Sequence, residues 1–352
     1  MPPVALQGIP PSALARLLGC ELGEARKIVS AVHRDRELVP TAGVRRATMD
    51  AVRALGFVPT LRVVETHASQ VDPFVKHVVE MPDGEVVETV RIPLERAGRF
   101  SACVSSQSGC ALACTFCATG RLGLRRNLET WEIVEQVRIV KRALTSGRVH
   151  GVVFQGMGEP MANLDRVLEA IAVLSEPSAM AIDARAITVC TSGLSSGIRR
   201  LAREAPKVRL GLSIGSARAE VRRSLMPIDR AHSLDEVLDA ATEHARVTGL
   251  APMWAVTPLA GVNDSIEDAK ALAERALRFA VDAGVRPRIS VIPYNAIGDG
   301  DPFVRTSDSA LSAFREAMAE RGVHTHLRYS GGGDVGAACG QLIGQLAGQL
   351  QG

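Results

Sequence analysis

Aromatic residues are scarce in this chain: 2 Trp, 2 Tyr and 8 Phe among 352 residues, or 3%. That scarcity argues against the broad aromatic platform on which many single-strand binders stack bases. The sequence has no run of about eighteen apolar residues, so it offers no membrane-spanning helix. Its first ten residues, MPPVALQGIP, lack the basic start and apolar centre of a secretory signal. Net charge is only +3, too little to imply a nucleic-acid partner by itself. Cysteines number 7, an odd count that with no export signal points to a reducing cytoplasm, where thiols serve as ligands or reagents. What is abundant is ordinary: 46% hydrophobic and 22% charged residues, enough to bury the core of one large domain or two smaller ones.

Four of the cysteines lie within one stretch, CVSSQSGCALACTFCATGRLGLRRN, from Cys103 to Asn127. Cys110, Cys114 and Cys117 are spaced Cys-x3-Cys-x2-Cys, so three thiolates on a short loop can close on one soft-metal centre. Zinc would want a fourth ligand from His or Asp, whereas a 4Fe-4S cluster held by three cysteines keeps one iron open to a ligand. Phe116 beside the last cysteine and the Gly- and Arg-rich run after it favour the cluster.

Residues 1 to about 60 read as a small helical unit. Apolar residues recur at helical spacing over Ser12–Cys20, Leu22–Val32 and Thr41–Leu55, and Cys20 falls on an apolar face. Arg34, Arg36, Arg45, Arg46 and Arg53 make the unit basic, each best read as part of a solvated face. From Leu61 to Leu94 the period changes to two, and KHVVEMPDGEVVETVRI reads as a hairpin turning at Pro82-Asp83-Gly84. Glu88 sits on the returning strand, where most glutamates face water.

From about Phe100 to Tyr329, short apolar strands alternate with helices such as Thr130–Leu144. The expected strands are 100–105, Gly151–Gln155, Ile187–Cys190, Val208–Ser213, Met253–Thr257 and Ile289–Ile292. Such alternation implies an α/β fold with a parallel sheet and right-handed crossovers, curled or closed into a barrel, with ligands at the carboxyl ends of the strands. The polar and glycine-rich segments follow those ends: the cysteine loop, Gly156-Met157-Gly158-Glu159-Pro160, Thr191-Ser192-Gly193, Gly215-Ser216 and Tyr294-Asn295. Glycines 156 and 158 would let backbone approach a ligand, Glu159 could accept from a ligand ammonium, and Ser213 and Asn295 could bond ribose hydroxyls or a carboxylate. A ligand with an amine, a carboxylate and a nucleoside beside an open iron suggests S-adenosylmethionine.

VETVRIP (87–93), the cysteine stretch through Leu128, GMGEPMAN (156–163), LMPID (225–229), GVNDS (261–265), IPYN (292–295) and AACGQL (337–342) together resemble the RlmN/Cfr-type radical SAM RNA methyltransferases. The likeness runs from Glu88 to Leu342. It implies a partial (β/α)6 radical SAM barrel, with a helical accessory domain at 1–60, a hairpin connector at 61–98, the barrel at 99–330 and a mobile C-terminal loop and tail at 331–352. It further implies Cys110, Cys114 and Cys117 as ligands of a 4Fe-4S cluster. Gly158, Glu159, Cys190, Ser213, Gly215 and Asn295 would be the contacts to S-adenosylmethionine.

The resemblance also implies a mechanism. An adenine ring carbon is too electron-poor to attack a sulfonium methyl. Cys339 would therefore take a methyl first, and a 5′-deoxyadenosyl radical would turn that S-methyl into a radical that adds to the base. Cys103 would then attack the sulfur of Cys339, forming a disulfide and releasing the product, with Glu88 as proton acceptor. The implied substrate is 23S rRNA, with tRNA as a second class, methylated at carbon 2 or carbon 8 of a flipped adenosine. Arg121, Arg125, Arg126, Arg222 and Arg223 would be available for phosphates. An electron donor such as flavodoxin or ferredoxin, a monomeric state, a cytoplasmic location and no membrane complete the expectation. The rivals are a radical SAM enzyme acting on another substrate and a zinc-stapled RNA-binding protein. The chain departs from the family's pattern at Cys190 (usually serine), Gly215 (usually histidine), Ala296 (usually proline) and Gly336 (usually aspartate), a divergence that bears on the substrate more than on the reaction.

Overall fold

A computed structural model describes residues 3–39, 42–298 and 300–343. The N-terminal unit holds α1 (Pro11–Leu18), α2 (Leu22–His33) and α3 (Arg46–Leu55), closed by parallel pairing of β1 (Val4–Ala5) with β2 (Gly56–Phe57). The first helix starts with proline at its first position, where no amide hydrogen is needed, and stops at Gly19 in the left-handed region. Leu14, Ile28, Val29, Val32, Met49 and Val52 form a separate small core, with Cys20 packed against its edge. The third helix begins later than the pattern suggests, after a turn, and Thr41 lies outside the described residues.

Four strands follow: β3 (Arg62–Ala68), β4 (Val75–Glu80), β5 (Val86–Pro93) and β6 (Arg99–Cys103), in which β3 pairs with β4, β4 with β5 and β5 with β6, all antiparallel. A small antiparallel hairpin, β7 (Gln107–Cys110) and β8 (Gly123–Asn127), brackets the cysteine loop and the single-turn α4 (Ala118–Arg121). The chain then alternates: α5 (Thr130–Arg142), β9 (Arg148–Phe154), α6 (Leu164–Ser175), β10 (Ile187–Thr191), α7 (Ser195–Glu204), β11 (Arg209–Ser213), α8 (Ala219–Leu225) and α9 (Leu234–Thr248). It continues with β12 (Met253–Val256), α10 (Ile266–Ala283), β13 (Arg288–Val291), α11 (Asp308–Ala319) and β14 (Thr325–Leu327).

One ten-stranded sheet runs in the order β14-β13-β12-β11-β10-β9-β6-β5-β4-β3. From β6 to β14 every neighbour is parallel, so six β-then-helix units make a partial barrel, and the hairpin strands extend the same sheet on the β6 side. The barrel strands are apolar on both sides because helices cover one face and the packed interior the other, as their near-continuous burial shows. All six strands expected from the sequence are present within a few residues. Two elements escape the pattern. Strand β14 is three mostly exposed residues, and β7–β8 is polar, held by its ladder and by the Gln107 amide donating to Asn127 Oδ1 at 2.7 Å.

The helical unit docks on α5 through buried polar contacts. Arg138 donates to the Val32 carbonyl at 2.7 Å and pairs with Asp35 at 2.5 Å, while Lys141 Nζ donates to the His33 carbonyl at 2.9 Å. Burial, reinforced by the Arg138 and Lys141 cations, holds the His33 ring neutral with its pKa near 3. With the folded pKa depressed, the unfolded chain binds the proton first as pH falls through about 6.5, so stability declines from there toward pH 3. We therefore expect His33→Leu to raise the melting temperature more at pH 5 than at pH 8. The difference should correspond to about 2 kcal/mol, read by thermal denaturation at the two pH values.

Candidate active site

Strands β6 and β9 to β13 all point their carboxyl ends at one rim, and a cavity opens there. Cys110, Cys114 and Cys117 line one wall, Gly158 and Glu159 a second, and Cys190, Ser213 and Gly215 a third. Cys339 and Gly340 come in from the C-terminal segment to line the same space.

The cysteine loop is anchored at several points. Cys110 ends β7, and Thr115 N donates to the Leu225 carbonyl at 3.0 Å, tying the loop to α8. Cys117 N donates to the Cys114 carbonyl at 3.2 Å, and Cys114 packs with Leu225, Met226, Leu259 and Tyr294. Burial pushes the Cys114 thiol up to about 12, helped by Cys117 and Cys110 nearby. Burial likewise pushes Cys110 up to about 11, opposed by the Leu112 amide that donates to its sulfur. Thr119 and Gly120 amides serve Cys117 in the same way.

This donor set suits an iron–sulfur cluster. Three thiols face one cavity, amide hydrogens are already aimed at two of the sulfurs, and a bound metal's positive charge would draw off protons that burial otherwise retains. Among the described residues no three His, Cys, Asp or Glu groups stand close enough to grip a metal ion as they are, so the thiols must rotate toward one another to close on it.

Glu159 is buried, and both of its oxygens are already engaged: Oε1 accepts from Met161 N at 3.0 Å and Oε2 from Ser192 N at 2.9 Å. Burial raises its pKa and those amides oppose the rise. Each oxygen keeps a second lone pair for a ligand, but the carboxylate also staples the β9 and β10 rims together. Gly158 lines the cavity and is also tightly packed behind it. Its φ is +94°, and an added Cβ would stand 2.5 Å from Gln107 Cβ, so only glycine fits at this point of the rim. Cys190 is buried and pushed up to about 12, with Arg328 opposing. Gly215 has φ +68°, and an added Cβ would meet Met226 Sδ at 2.5 Å, so the methionine fills the place a larger side chain would need.

A second cavity lies beside the first, and Cys103 and Cys339 both line it. Cys339 is common to both cavities, half-buried, with Cys117 also lining each. Cys103, 8% exposed, has its thiol pushed up by burial and by Cys339, while Arg328 pulls it down. Arg328 Nη1 donates to Gln155 Oε1 at 3.0 Å, and both line this second cavity. Sequence reasoning passed over this arginine because it follows a strand with no apolar pattern.

Glu88 corrects the expectation that it faces water: it is 1% exposed, paired with Lys76 Nζ at 3.0 Å, and its Oε2 accepts from Ile343 N at 2.8 Å. It thus stands behind the segment that carries Cys339 and lines neither cavity. Asn295 also lines neither cavity. Its amide donates to Ser330 Oγ at 2.8 Å and to the Cys339 carbonyl at 3.5 Å, so it holds the C-terminal loop. That loop is docked along its length: Ala118 N donates to the Gly340 carbonyl at 2.8 Å, Thr119 Oγ1 to the Leu342 carbonyl at 2.5 Å, and Gln341 to the Ala296 carbonyl at 2.9 Å. Residues 344–352 of the expected tail lie outside the described residues.

All seven cysteines are free, so the Cys103–Cys339 disulfide is not a standing bond of the fold. The arginines divide. Arg222 is wholly buried against Asp229 and cannot reach a phosphate. Arg126 is held by Asp83 and Glu132, Arg121 stands 3.8 Å from Asp301, and Arg125 and Arg223 are exposed. No helix among the described residues is long and apolar enough to cross a membrane.

Residues 104–276 match the radical SAM superfamily model. A probable RNA methyltransferase of Sorangium cellulosum is 60% identical over 94% of this chain and 90% of its own length. A dual-specificity RNA methyltransferase RlmN of Syntrophobacter fumaroxidans is 42% identical over 76% of each. The crystal structure of a radical SAM methyltransferase from Sphaerobacter thermophilus superposes with a TM-score of 0.86 at 32% identity, covering 97% of this chain and all of that one.

Proposed function

Because the chain belongs to the radical SAM superfamily and, within it, to the RlmN-type RNA methyltransferases, we propose that it methylates a ring carbon of adenine in RNA by way of a methyl group carried on Cys339. The RNA would be 23S rRNA or a tRNA. The observation that carries this reading is that Cys339 belongs to both cavities: in one it faces the Cys110, Cys114 and Cys117 loop, in the other Cys103. A thiol that must meet a methyl donor and then a base gains from sitting where two chambers meet.

The three loop cysteines would hold a 4Fe-4S cluster, and the rims carrying Glu159, Ser213 and Gly215 would hold S-adenosylmethionine. Bound together they would supply one-electron cleavage of the sulfonium to a 5′-deoxyadenosyl radical. The rest falls to the chain's own groups. The Cys339 thiolate takes the methyl of one S-adenosylmethionine, releasing S-adenosylhomocysteine. After the carbon has been joined to the base, Cys103 attacks the Cys339 sulfur; a sulfur–sulfur bond forms, the sulfur–carbon bond breaks, and its electron pair leaves with the product carbon. Cys103 must lose its proton first, and Arg328 is the cation placed to stabilise the thiolate. Glu88, hydrogen-bonded to Ile343 N on the segment that carries Cys339, is the carboxylate we assign as proton acceptor. Reduction of the disulfide and of the cluster calls for a donor such as flavodoxin or ferredoxin. We further infer a cytoplasmic monomer with the accessory unit at 1–60, the connector at 61–98, the barrel at 99–330 and the cysteine-bearing segment from 331.

Cys103→Ala separates this reading from its rivals. With the resolving thiol removed, the base stays attached to Cys339, and a covalent protein–RNA species should accumulate after anaerobic incubation with S-adenosylmethionine, reductant and RNA. Denaturing gel electrophoresis and peptide mass spectrometry would detect it. Normal turnover by this variant counts against the mechanism, and a colourless zinc protein would exclude it.

A further inference from the structure

One of the few aromatic residues is placed where the chemistry would need it. Tyr329 follows Arg328 at the end of β14, lines the cavity that holds Cys103 and Cys339, and is 66% exposed. Its ring is held in place from two directions. Phe74, 8% exposed, packs against it with centroids 6.1 Å apart and planes tilted by 59°. The hydroxyl donates to Asp72 Oδ2 at 2.9 Å, and that oxygen also accepts from Gly332 N at 2.8 Å. An exposed side chain anchored at its polar tip and backed by a buried ring is preorganised to present an apolar face.

We propose that Tyr329 is a stacking platform for the nucleobase next to the target adenine. This rests on the reading above, that the substrate is RNA. A base that meets both cysteine sulfurs must enter the cavity, because Cys103 is buried within it. Tyr329, two-thirds exposed at the same cavity, is too open to enclose that base and suits the neighbour that has lost its stacking partner when the target turns inward. Stacking on a ring is tolerant of base identity, so the contact supplies affinity and not sequence choice.

The test uses the full-length protein loaded with its cluster and a fluorescently labelled RNA hairpin containing an unpaired adenosine. Binding is read by anisotropy for wild type and for Tyr329→Ala, Tyr329→Leu, Tyr329→Phe and Tyr329→Trp, with thermal melts to confirm folding. We expect Ala and Leu to weaken binding by about five- to 150-fold, the range for loss of one base–aromatic stack. Phe and Trp should stay within about threefold of wild type, less than the loss of one such stack. KM for the RNA should rise in the aliphatic variants far more than kcat falls. Wild-type-like binding by the Leu variant would overturn the proposal. So would a Phe variant as weak as Ala, since the hydroxyl's tie to Asp72 would then be what matters. Methyladenosine formation by wild type is scored separately: its absence, with ring-dependent binding intact, removes the methyltransferase reading and leaves the platform standing.

Discussion

Replacing Cys339 by alanine is expected to abolish RNA methylation, with no methyladenosine detected by nucleoside mass spectrometry after exhaustive incubation. The expectation follows from what the thiol alone can do. Carbon 2 or carbon 8 of adenine cannot displace a sulfonium methyl, so in the proposed route the Cys339 sulfur is the nucleophile that takes the methyl. The other free thiols are poorly placed to substitute. Cys190 is buried and lines only the first cavity, and Cys103 lines only the second. Loss of a covalent nucleophile typically removes several powers of ten in rate, as such groups work as a unit with their partners. The substitution is also small and local. Cys339 is half-buried, and the loop around it is held by backbone groups and by Asn295, Thr119 and Ala118, which the change leaves intact. Folding should therefore survive, and iron content and melting temperature should match wild type. Methylation at the normal rate by the alanine variant would end the assignment.

How much of this was legible beforehand differs by element. The barrel strands were readable because burial on both faces writes a short continuous apolar run, as in 187–191 and 253–256. The cysteine loop was readable from spacing. Glu88 was misread because its burial comes from neighbours distant in sequence: Lys76 across the hairpin and Ile343 from the far end of the chain. No local pattern reports such a pair. The position of Asn295 after a strand gave no hint that its amide nitrogen donates to Ser330 Oγ and the Cys339 carbonyl. Glycine at 215 read as a lost imidazole, and the structure shows Met226 in the adjoining space. The aromatic count excluded a broad stacking surface but said nothing of where a single ring would be placed.

Arg222 was grouped with the phosphate candidates, and its true surroundings lead to the largest stability effect expected in the barrel. Its side chain is fully buried and pairs with Asp229, itself 2% exposed, at 3.0 Å. The guanidinium fork also donates to the Ser213 carbonyl at 3.0 Å, to the Ser192 carbonyl at 2.8 Å and to the Ile214 carbonyl. One side chain thus joins the ends of β10 and β11, the rims that line the first cavity. Arg222→Met keeps much of the volume but leaves Asp229 buried with Arg223 at 3.7 Å and the Leu234 amide as its partners, and takes the guanidinium donors away from the Ser192 and Ser213 carbonyls. Breaking a buried pair in this way costs about 3–5 kcal/mol, because an uncompensated charge remains in a low-dielectric site. Arg222→Lys retains the charge but cannot reproduce the fork, so it should recover only part of the loss. Chemical denaturation would rank wild type, Lys and Met in that order, and calorimetry should find weaker S-adenosylmethionine binding in the same order, since the displaced carbonyls belong to the cavity wall. A methionine variant as stable as wild type would mean that Asp229 is solvated or neutral, and that the rims are joined by other contacts.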